Sequence, residues 1–144
     1  MIFVSNQTIT EQEVQLIENG VWSFPNGIPG FPEEKEFVLH PILNQESFFI
    51  LQSKEKEEVA FIVTNPFDFY QDYDFTLDEN SLAVLELNQE EDVVVLVIVT
   101  LRDSLENSTV NLQAPIILNK RNYKGKQVIL NNSPYRARHN IITK

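Results

Sequence analysis

Short runs of apolar, β-branched and aromatic residues, separated by polar turns, dominate this chain and predict a mainly β fold. The clearest run spans residues 93–101 and is rich in valine, which is typical of a strand buried on both faces. Residues 47–52 and 59–64 are joined by a charged turn at 54–58, and this arrangement predicts a β-hairpin.

Five further strands are expected, at residues 21–24, 37–39, 109–112, 115–119 and 127–130. The strand at 37–39 is expected to stop at His40 and Pro41, because proline cannot donate to a sheet ladder. The last two strands are expected to form a hairpin closed by the loop 120–126, which contains Gly125.

One short helix is predicted from its start signal, and a second segment stays ambiguous. Residues 76–79 read Thr-Leu-Asp-Glu, the capping-box pattern that begins a helix, and the helix is expected over 78–85. Residues 11–19 are compatible with a helix or a strand. Many short strands with one or two short helices predict a small antiparallel β-barrel or a β-sandwich.

One loop concentrates the residues that restrict the backbone. Residues 24–31 read Phe-Pro-Asn-Gly-Ile-Pro-Gly-Phe and hold two of the four glycines and two of the seven prolines. Two consecutive tight turns are expected there. The segment contains no acid, base, thiol or hydroxyl, so it indicates contact rather than catalysis. The candidate contact residues are Asn26, Gly27, Ile28, Pro29 and Phe31. The alternative is that the loop only reverses the chain and plugs a barrel end.

Length and composition indicate one soluble domain spanning residues 1–144. The chain contains no cysteine, which excludes disulfides and thiolate chemistry. The first residues lack the pattern of a signal peptide, and the longest apolar run is far below the ~20 residues of a membrane helix. We therefore expect a cytoplasmic protein without membrane contact.

Charge is strongly segregated along the chain. All 21 acidic residues lie at or before residue 106, against four Lys and Arg there, so residues 1–106 carry a formal charge of −17. Residues 107–144 carry seven Lys and Arg and no acid, which gives +7 and a total of −10. An acidic body attracts basic partners and repels nucleic acid. The alternative is that the basic tail packs on acidic neighbours.

No cofactor, metal or catalytic residue is predicted. His40 and His139 lie far apart in the chain and are expected to be structural or on the surface. Asp72 and Asp74 resemble the start of a calcium loop, but Leu77 occupies the position that requires glycine.

An aromatic, acidic segment at 66–73 is the second candidate contact surface, because exposed aromatic residues are enriched at interface hot spots. Its candidate residues are Phe67, Asp68, Phe69, Tyr70, Asp72 and Tyr73. The alternative is that these rings fill a barrel end. Asn111, at the start of the segment 111–115, is the third candidate, and its alternative is a strand-to-turn junction.

These motifs together resemble the flagellar assembly factor FliW family. After the signature at 24–31, further matches follow in order at 37–39, 49–53, 60–67, 72–73, 90–93, 97–101, 106–116, 125–131 and 133–135. The likeness covers roughly residues 21–140, and the first 20 residues depart from the family pattern.

The resemblance implies a non-enzymatic regulator with a small β-barrel-like fold. FliW proteins bind flagellin in the cytoplasm and also bind CsrA, a dimeric RNA-binding protein that represses flagellin translation. Binding takes CsrA off the message, by an allosteric, non-competitive mode, and flagellin competes for FliW. Two alternatives stay open: a dedicated flagellin chaperone, and a β-barrel enzyme or sugar-binding domain.

Overall fold

Seven strands close into a barrel in the computed structural model, which describes residues 1–18 and 20–141. The strands are β1 (Ile2–Ser5), β2 (Val21–Ser23), β3 (Glu36–Ile42), β4 (Gln45–Ser53), β5 (Ala60–Thr64), β6 (Asp74–Leu77), β7 (Val93–Thr100), β8 (Thr109–Val110), β9 (Ile116–Asn119), β10 (Lys124–Gln127) and β11 (His139–Asn140), and the helices are α1 (Glu11–Glu18) and α2 (Glu79–Leu85). The barrel order is β7–β5–β4–β3–β2–β10–β9, and β9 pairs back onto β7.

The remaining strands lie outside the barrel wall. β8 pairs with β7 and β11 pairs with β8, while β1 and β6 form a separate two-stranded sheet. All these pairings are antiparallel except the short parallel contact between β2 and β10. The expected mainly β, barrel-like fold with two short helices is confirmed, as is the hairpin formed by β4 and β5.

β7 separates two hydrophobic cores. Its residues Val94 and Leu96 point into the barrel, while Val95 and Val97 contribute to a second core on the outer side of the wall. A strand with both faces covered must read as a continuous apolar run. The expectation is confirmed for residues 93–99, whereas Thr100 ends the strand and Leu101 is exposed. The outer core is covered by β1, β6, α2 and the segment 128–141.

Helix α1 closes one end of the barrel through aromatic contacts. The indole N–H of Trp22 donates to the carbonyl of Ile17 at 3.1 Å, and the Trp22 ring stacks on Tyr123 at 4.6 Å between centroids. The Tyr123 hydroxyl in turn donates to the carbonyl of Leu16. Gly20 makes room for the Tyr123 ring, since a Cβ there would lie 1.8 Å from it.

A capping box that the sequence analysis missed begins α1. The Thr10 N–H donates to the Glu13 carboxylate at 3.0 Å, and the Glu13 N–H donates to the Thr10 hydroxyl at 3.1 Å. These reciprocal bonds satisfy amide groups that the first helical turn leaves unpaired. The ambiguous segment is thus helical over Glu11–Glu18, and Asn19 lies outside the described residues.

The predicted capping box at 76–79 is wrong. Thr76 belongs to β6, where it pairs with Phe3, and Asp78 is the residue that caps α2. Its carboxylate accepts the N–H of Ser81 at 2.7 Å. The long-range pairing with β1 outweighs the local signal at Thr76.

Two strand limits also differ from expectation. β3 does not stop at His40 and Pro41 but runs to Ile42, with a register shift between Pro41 and Ile42. Its pairing with β2 ends at Val38, so the missing N–H of Pro41 lies where no ladder partner is required.

The strand predicted at 127–130 is displaced toward the N-terminus, and residues 128–130 lie outside it. β10 spans Lys124–Gln127 and pairs with β9, so the hairpin is confirmed but Gly125 lies in the strand and not in the loop. A Cβ on Gly125 would lie 2.6 Å from the Phe24 ring. Packing in the barrel core therefore requires glycine at this position of β10. From the local sequence alone, the same glycine indicates a loop.

We predict that Glu13 stabilises the protein in a pH-dependent manner. Burial alone would raise the pKa of Glu13, but the Lys120 ammonium and the Thr10 hydrogen bonds outweigh it and hold the pKa below its ordinary value of 4.5. The contribution is therefore present above pH 4.5 and is lost as the pH falls through the folded-state pKa. Urea unfolding should show that Glu13→Gln is less stable than the wild type at pH 7, by a difference that shrinks below pH 4.5.

Glu11→Gln, at an exposed position in the same helical turn, is the matched control and should lack this pattern. A Glu13→Gln deficit that stays constant from neutral to acidic pH would contradict the assignment.

Candidate functional site

The loop 24–31 forms the two consecutive tight turns that the sequence predicts. The Gly27 N–H donates to the Phe24 carbonyl at 2.9 Å, and the Phe31 N–H donates to the Ile28 carbonyl at 2.6 Å. Gly27 has φ +65° and Gly30 has φ +90°, which is the left-handed region that glycine adopts without steric cost. The predicted backbone geometry is confirmed.

The same loop plugs the barrel and presents an exposed rim. Phe24 and Ile28 are buried in the barrel core, whereas Asn26 and Pro29 are exposed. Phe31 is 39% exposed and packs edge-on against Phe61. Only part of the predicted contact set is therefore accessible from outside.

The aromatic segment divides in a similar way. The Asn65 side chain accepts the N–H of Phe67 and begins a short 3₁₀ turn, Pro66–Asp68. Phe67 and Tyr73 are buried in the outer core, and the Tyr73 hydroxyl donates to the Leu112 carbonyl at 2.8 Å. Burial, with a smaller effect from Tyr135, strongly raises the pKa of Tyr73. The Phe67 and Tyr73 rings therefore lie beneath the surface that the exposed residues of this segment form.

Around them lies a depression that we call the aromatic bowl, formed by residues 68–73 and Tyr135 with a volume of about 430 Å³. Phe69 and Tyr70 are half-buried in it, and Asp68 and Asp72 are exposed at its rim. Rings beside free carboxylates suit a partner that offers apolar and basic groups.

The C-terminal segment completes the bowl with residues that the sequence analysis did not select. The Tyr135 ring meets Tyr73 edge-on at 4.7 Å, and Tyr70 and Tyr135 both lie against His139. The Tyr70 hydroxyl donates to the carbonyl of Asn140. Tyr135 belongs to the stretch 133–135 that carried part of the family resemblance, which was the one available signal.

A furrow connects the bowl to the loop. We use this name for the depression of about 400 Å³ between residues 74–78 and residues 128–135. Tyr135 lines both the furrow and the bowl. At the other end, Asp78 and residues 128–129 also line a groove of about 370 Å³ beside the loop residues 26–30 and 32. The fold thus places the first two sequence-predicted candidates along one continuous surface.

Asn111, the third candidate, has a structural role. Its side-chain oxygen accepts the N–H groups of Gln113 and Ala114, each at 3.1 Å. It lines neither the bowl nor the furrow. The geometry is that of the strand-to-turn junction considered as its alternative.

Charges of the basic tail and the acidic body are partly paired. Lys120 pairs with Glu13, Arg121 with Asp92, and Lys124 with Glu86. By contrast, within residues 1–18 and 20–141, no ion pair involves the exposed acids along the bowl and furrow. These acids are Asp68, Asp72, Asp74 and Asp78. These four carboxylates therefore give the candidate surface negative charge that no ion pair among the described residues neutralises.

Other kinds of site have no support among the described residues. No group of three or more His, Cys, Asp or Glu side chains in it is placed to hold a metal ion. No helix among the described residues is long and apolar enough to cross a membrane.

The chain is thus a small β-barrel protein whose interior is filled by side chains and whose outer side carries an acidic, aromatic surface as the candidate contact site. The FliW protein family model matches residues 5–141, and the chain belongs to this family. The match begins within the first 20 residues, which the motif comparison had left outside the resemblance.

Named relatives agree with this assignment. A flagellar assembly factor FliW of Bacillus pumilus is 45% identical over 92% of both chains, and that of Bacillus subtilis is 43% identical over 90% of both. A crystal structure of the flagellar assembly factor FliW matches with a TM-score of 0.82 and 35% identity, over 99% of this chain and 98% of that chain.

We predict that the two left-handed glycines of the loop respond differently to alanine. A Cβ on Gly27 would lie 2.6 Å from the Phe31 carbonyl oxygen and 2.7 Å from the Pro32 Cα, whereas a Cβ on Gly30 meets nothing within 4 Å. Gly30→Ala should therefore lower the free energy of unfolding only by the cost of a left-handed backbone at a residue with a Cβ, about 1–2 kcal/mol. Gly27→Ala should cost about 3 kcal/mol or more, because backbone atoms must also move. Denaturant unfolding measures both, and equal losses would contradict the assignment.

We further predict that His139 makes stability sensitive to mild acid. Burial, and then the positive charge of Arg136, lowers the pKa of His139 below its ordinary value of 6.5. The unfolded chain thus binds a proton more readily than the folded chain, so stability falls as the pH drops from 6.5 through the folded-state pKa. The wild type should lose more unfolding free energy than His139→Gln between about pH 7.5 and 5.5. An equal loss of unfolding free energy in both proteins would contradict this prediction. His40 is present in both proteins, so its contribution cancels in the comparison.

Proposed function

We propose that this chain is a non-enzymatic, cytoplasmic regulator that binds CsrA and antagonises its binding to RNA. Cytoplasmic flagellin competes for the chain, so that its secretion releases the chain to act on CsrA. The observation that carries the proposal is the alignment of four exposed carboxylates, Asp68, Asp72, Asp74 and Asp78, along one aromatic-lined surface. Membership of the FliW family supports the flagellar context.

The charge of the chain fits a basic partner. A protein that binds RNA presents Lys and Arg to phosphate groups, and a body with a formal charge of −17 over residues 1–106 attracts such a surface. Three of the seven basic tail residues are already paired with body acids. The carboxylates around the bowl and furrow are exposed and form no ion pair among the described residues, so they are available to a partner. Direct nucleic-acid binding by this surface is disfavoured.

Two mechanisms could release RNA from CsrA. The acidic surface could cover the RNA site as a phosphate mimic, or it could dock beside the site and favour a state of CsrA that binds RNA weakly. We favour the second, non-competitive mode, which requires the chain to bind the two CsrA states with different affinities.

A dedicated flagellin chaperone is the second candidate function, and one observation favours it. A groove of about 630 Å³ lies between α1 and the β3–β4 hairpin, and its lining combines apolar residues such as Ile9, Val14 and Phe48 with polar residues such as Glu11, Glu18 and Asn44. A groove with apolar and polar walls suits the two faces of an amphipathic helix. Flagellin binding and CsrA binding can be tested separately. A variant that keeps CsrA binding but loses flagellin binding would place the two partners on different surfaces.

A barrel enzyme or a sugar-binding domain has less support. Such proteins use polar groups that converge in a pocket. Among the described residues, the barrel interior is filled by apolar side chains, including Trp22, Phe37, Leu39, Leu51 and Leu96.

We predict that CsrA binding weakens with salt. Exposed charges are screened beyond about 8–10 Å at physiological ionic strength, so titration calorimetry should show an affinity that falls at least about tenfold between 50 mM and 500 mM NaCl. Asp68→Asn combined with Asp72→Asn should weaken binding at low salt and flatten this dependence. Glu55→Gln combined with Glu57→Gln, on the exposed β4–β5 turn, is the matched control for net charge.

An affinity independent of salt would contradict the electrostatic part of the proposal. A transient complex that contains RNA, CsrA and this chain together would argue for the non-competitive mode and against mimicry. Failure of the wild-type chain to bind CsrA under any condition would overturn the proposed function.

A further inference from the structure

Among residues 1–18 and 20–141, no strand pairs with the backbone edge of β6 that faces away from β1. The Asp74 N–H donates to the Tyr135 hydroxyl at 3.1 Å and so does not pair with β1. In an antiparallel ladder, alternate residues direct their N–H and C=O groups to the same side. Thr76, two residues later, therefore also directs its backbone groups away from its β1 neighbour Phe3 and toward the furrow.

The opposite wall of the furrow, residues 128–130, also has backbone groups that face the furrow. Val128 and Leu130 donate their N–H groups to the carbonyls of Pro115 and Gln113, at 2.9 and 2.7 Å. Ile129, between them, must direct its backbone groups to the other side, which is the furrow. Its side chain is 54% exposed while both neighbours are buried, as expected for an extended segment.

The two edges run antiparallel across the furrow. Asp74 is joined to Tyr135 at one end, and Asp78 lies with residues 128 and 129 at the other. The space between them, about 400 Å³, is within the range of roughly 300–1,000 Å³ that is usual for binding clefts. A strand placed there could be hydrogen-bonded on both sides.

We propose that the furrow binds an extended, basic peptide segment of a protein partner by β-strand addition between β6 and residues 128–131. Backbone groups on both walls supply the hydrogen bonds of such a mode. The exposed carboxylates of Asp74 and Asp78 complement Lys or Arg on one face of the strand, while Phe75 and Leu130 offer apolar contacts to the other. The inference deepens the proposed function, because it assigns a docking mode to the same surface.

The first test removes a single backbone donor. Ile129→Pro deletes the N–H that faces the furrow without removing an intramolecular hydrogen bond, and proline is tolerated at strand edges. Ile129→Ala keeps the N–H and loses the exposed side chain, so it is the matched control. With CsrA as the probe, we expect Ile129→Pro to weaken binding at least tenfold and Ile129→Ala less than threefold.

The second test needs no variant and decides the question even if Ile129→Pro does not fold. Residue-resolved amide exchange on the wild-type chain, measured by NMR with and without CsrA, should show at least tenfold slower exchange of the Thr76 and Ile129 amides in the complex. Asp74→Asn should weaken the complex severalfold at low salt and not at high salt.

The outcomes separate this inference from the proposed function. A complex that forms without slowing either amide, or that Ile129→Pro leaves at wild-type affinity, overturns strand addition and leaves the proposed function intact. The absence of any complex between the wild-type chain and CsrA overturns the proposed function, and with it the docking mode.

Discussion

The burial of β7 on both faces is the constraint on which the rest of the structure depends. One face closes the barrel interior and the other forms the floor of a second core, and pairing with both β5 and β9 closes the wall. Each buried aliphatic side chain contributes about 1.5–3 kcal/mol relative to exposure, so neither face can be left open. The outer face therefore needs a cover, and the remaining elements supply it.

The cover over the outer core is discontinuous, and the candidate surface lies along the gap in it. The sheet of β1 and β6 covers one part of the outer core, and residues 128–141 cover another. The two parts meet through contacts such as the hydrogen bond from the Asp74 backbone N–H to the Tyr135 hydroxyl, and not through a shared strand ladder. A furrow remains between them, with carboxylates at its rim and aromatic rings at one end. A stable core and an open contact surface are thus two consequences of one arrangement.

The predictions from sequence succeeded where the signal was local and failed where a distant contact decided. The β4–β5 hairpin, the buried run of β7 and the two turns at 24–31 depend on residues close together in the chain, and the structure has all three. The capping box placed at Thr76 was wrong because β1, more than 70 residues earlier, pairs with that position. Gly125 was taken for a loop residue because its reason for being glycine is the Phe24 ring, about 100 residues away.

The mainly β character, the turn-forming loop, the segregation of charge and the likeness to the FliW family were all predictable from the amino-acid sequence, since composition, periodicity and ordered motifs are properties of the chain. Only the tertiary structure decided which candidate residues are accessible: Ile28, Phe67 and Tyr73 are buried, while Asp68, Asp72 and Pro29 are exposed. It also brought the loop and the aromatic segment to one surface by way of residues 126–135. The physical reason is that exposure depends on packing between segments far apart in the chain, such as Tyr73 against Leu112 and Tyr70 against Asn140. No local pattern encodes those contacts.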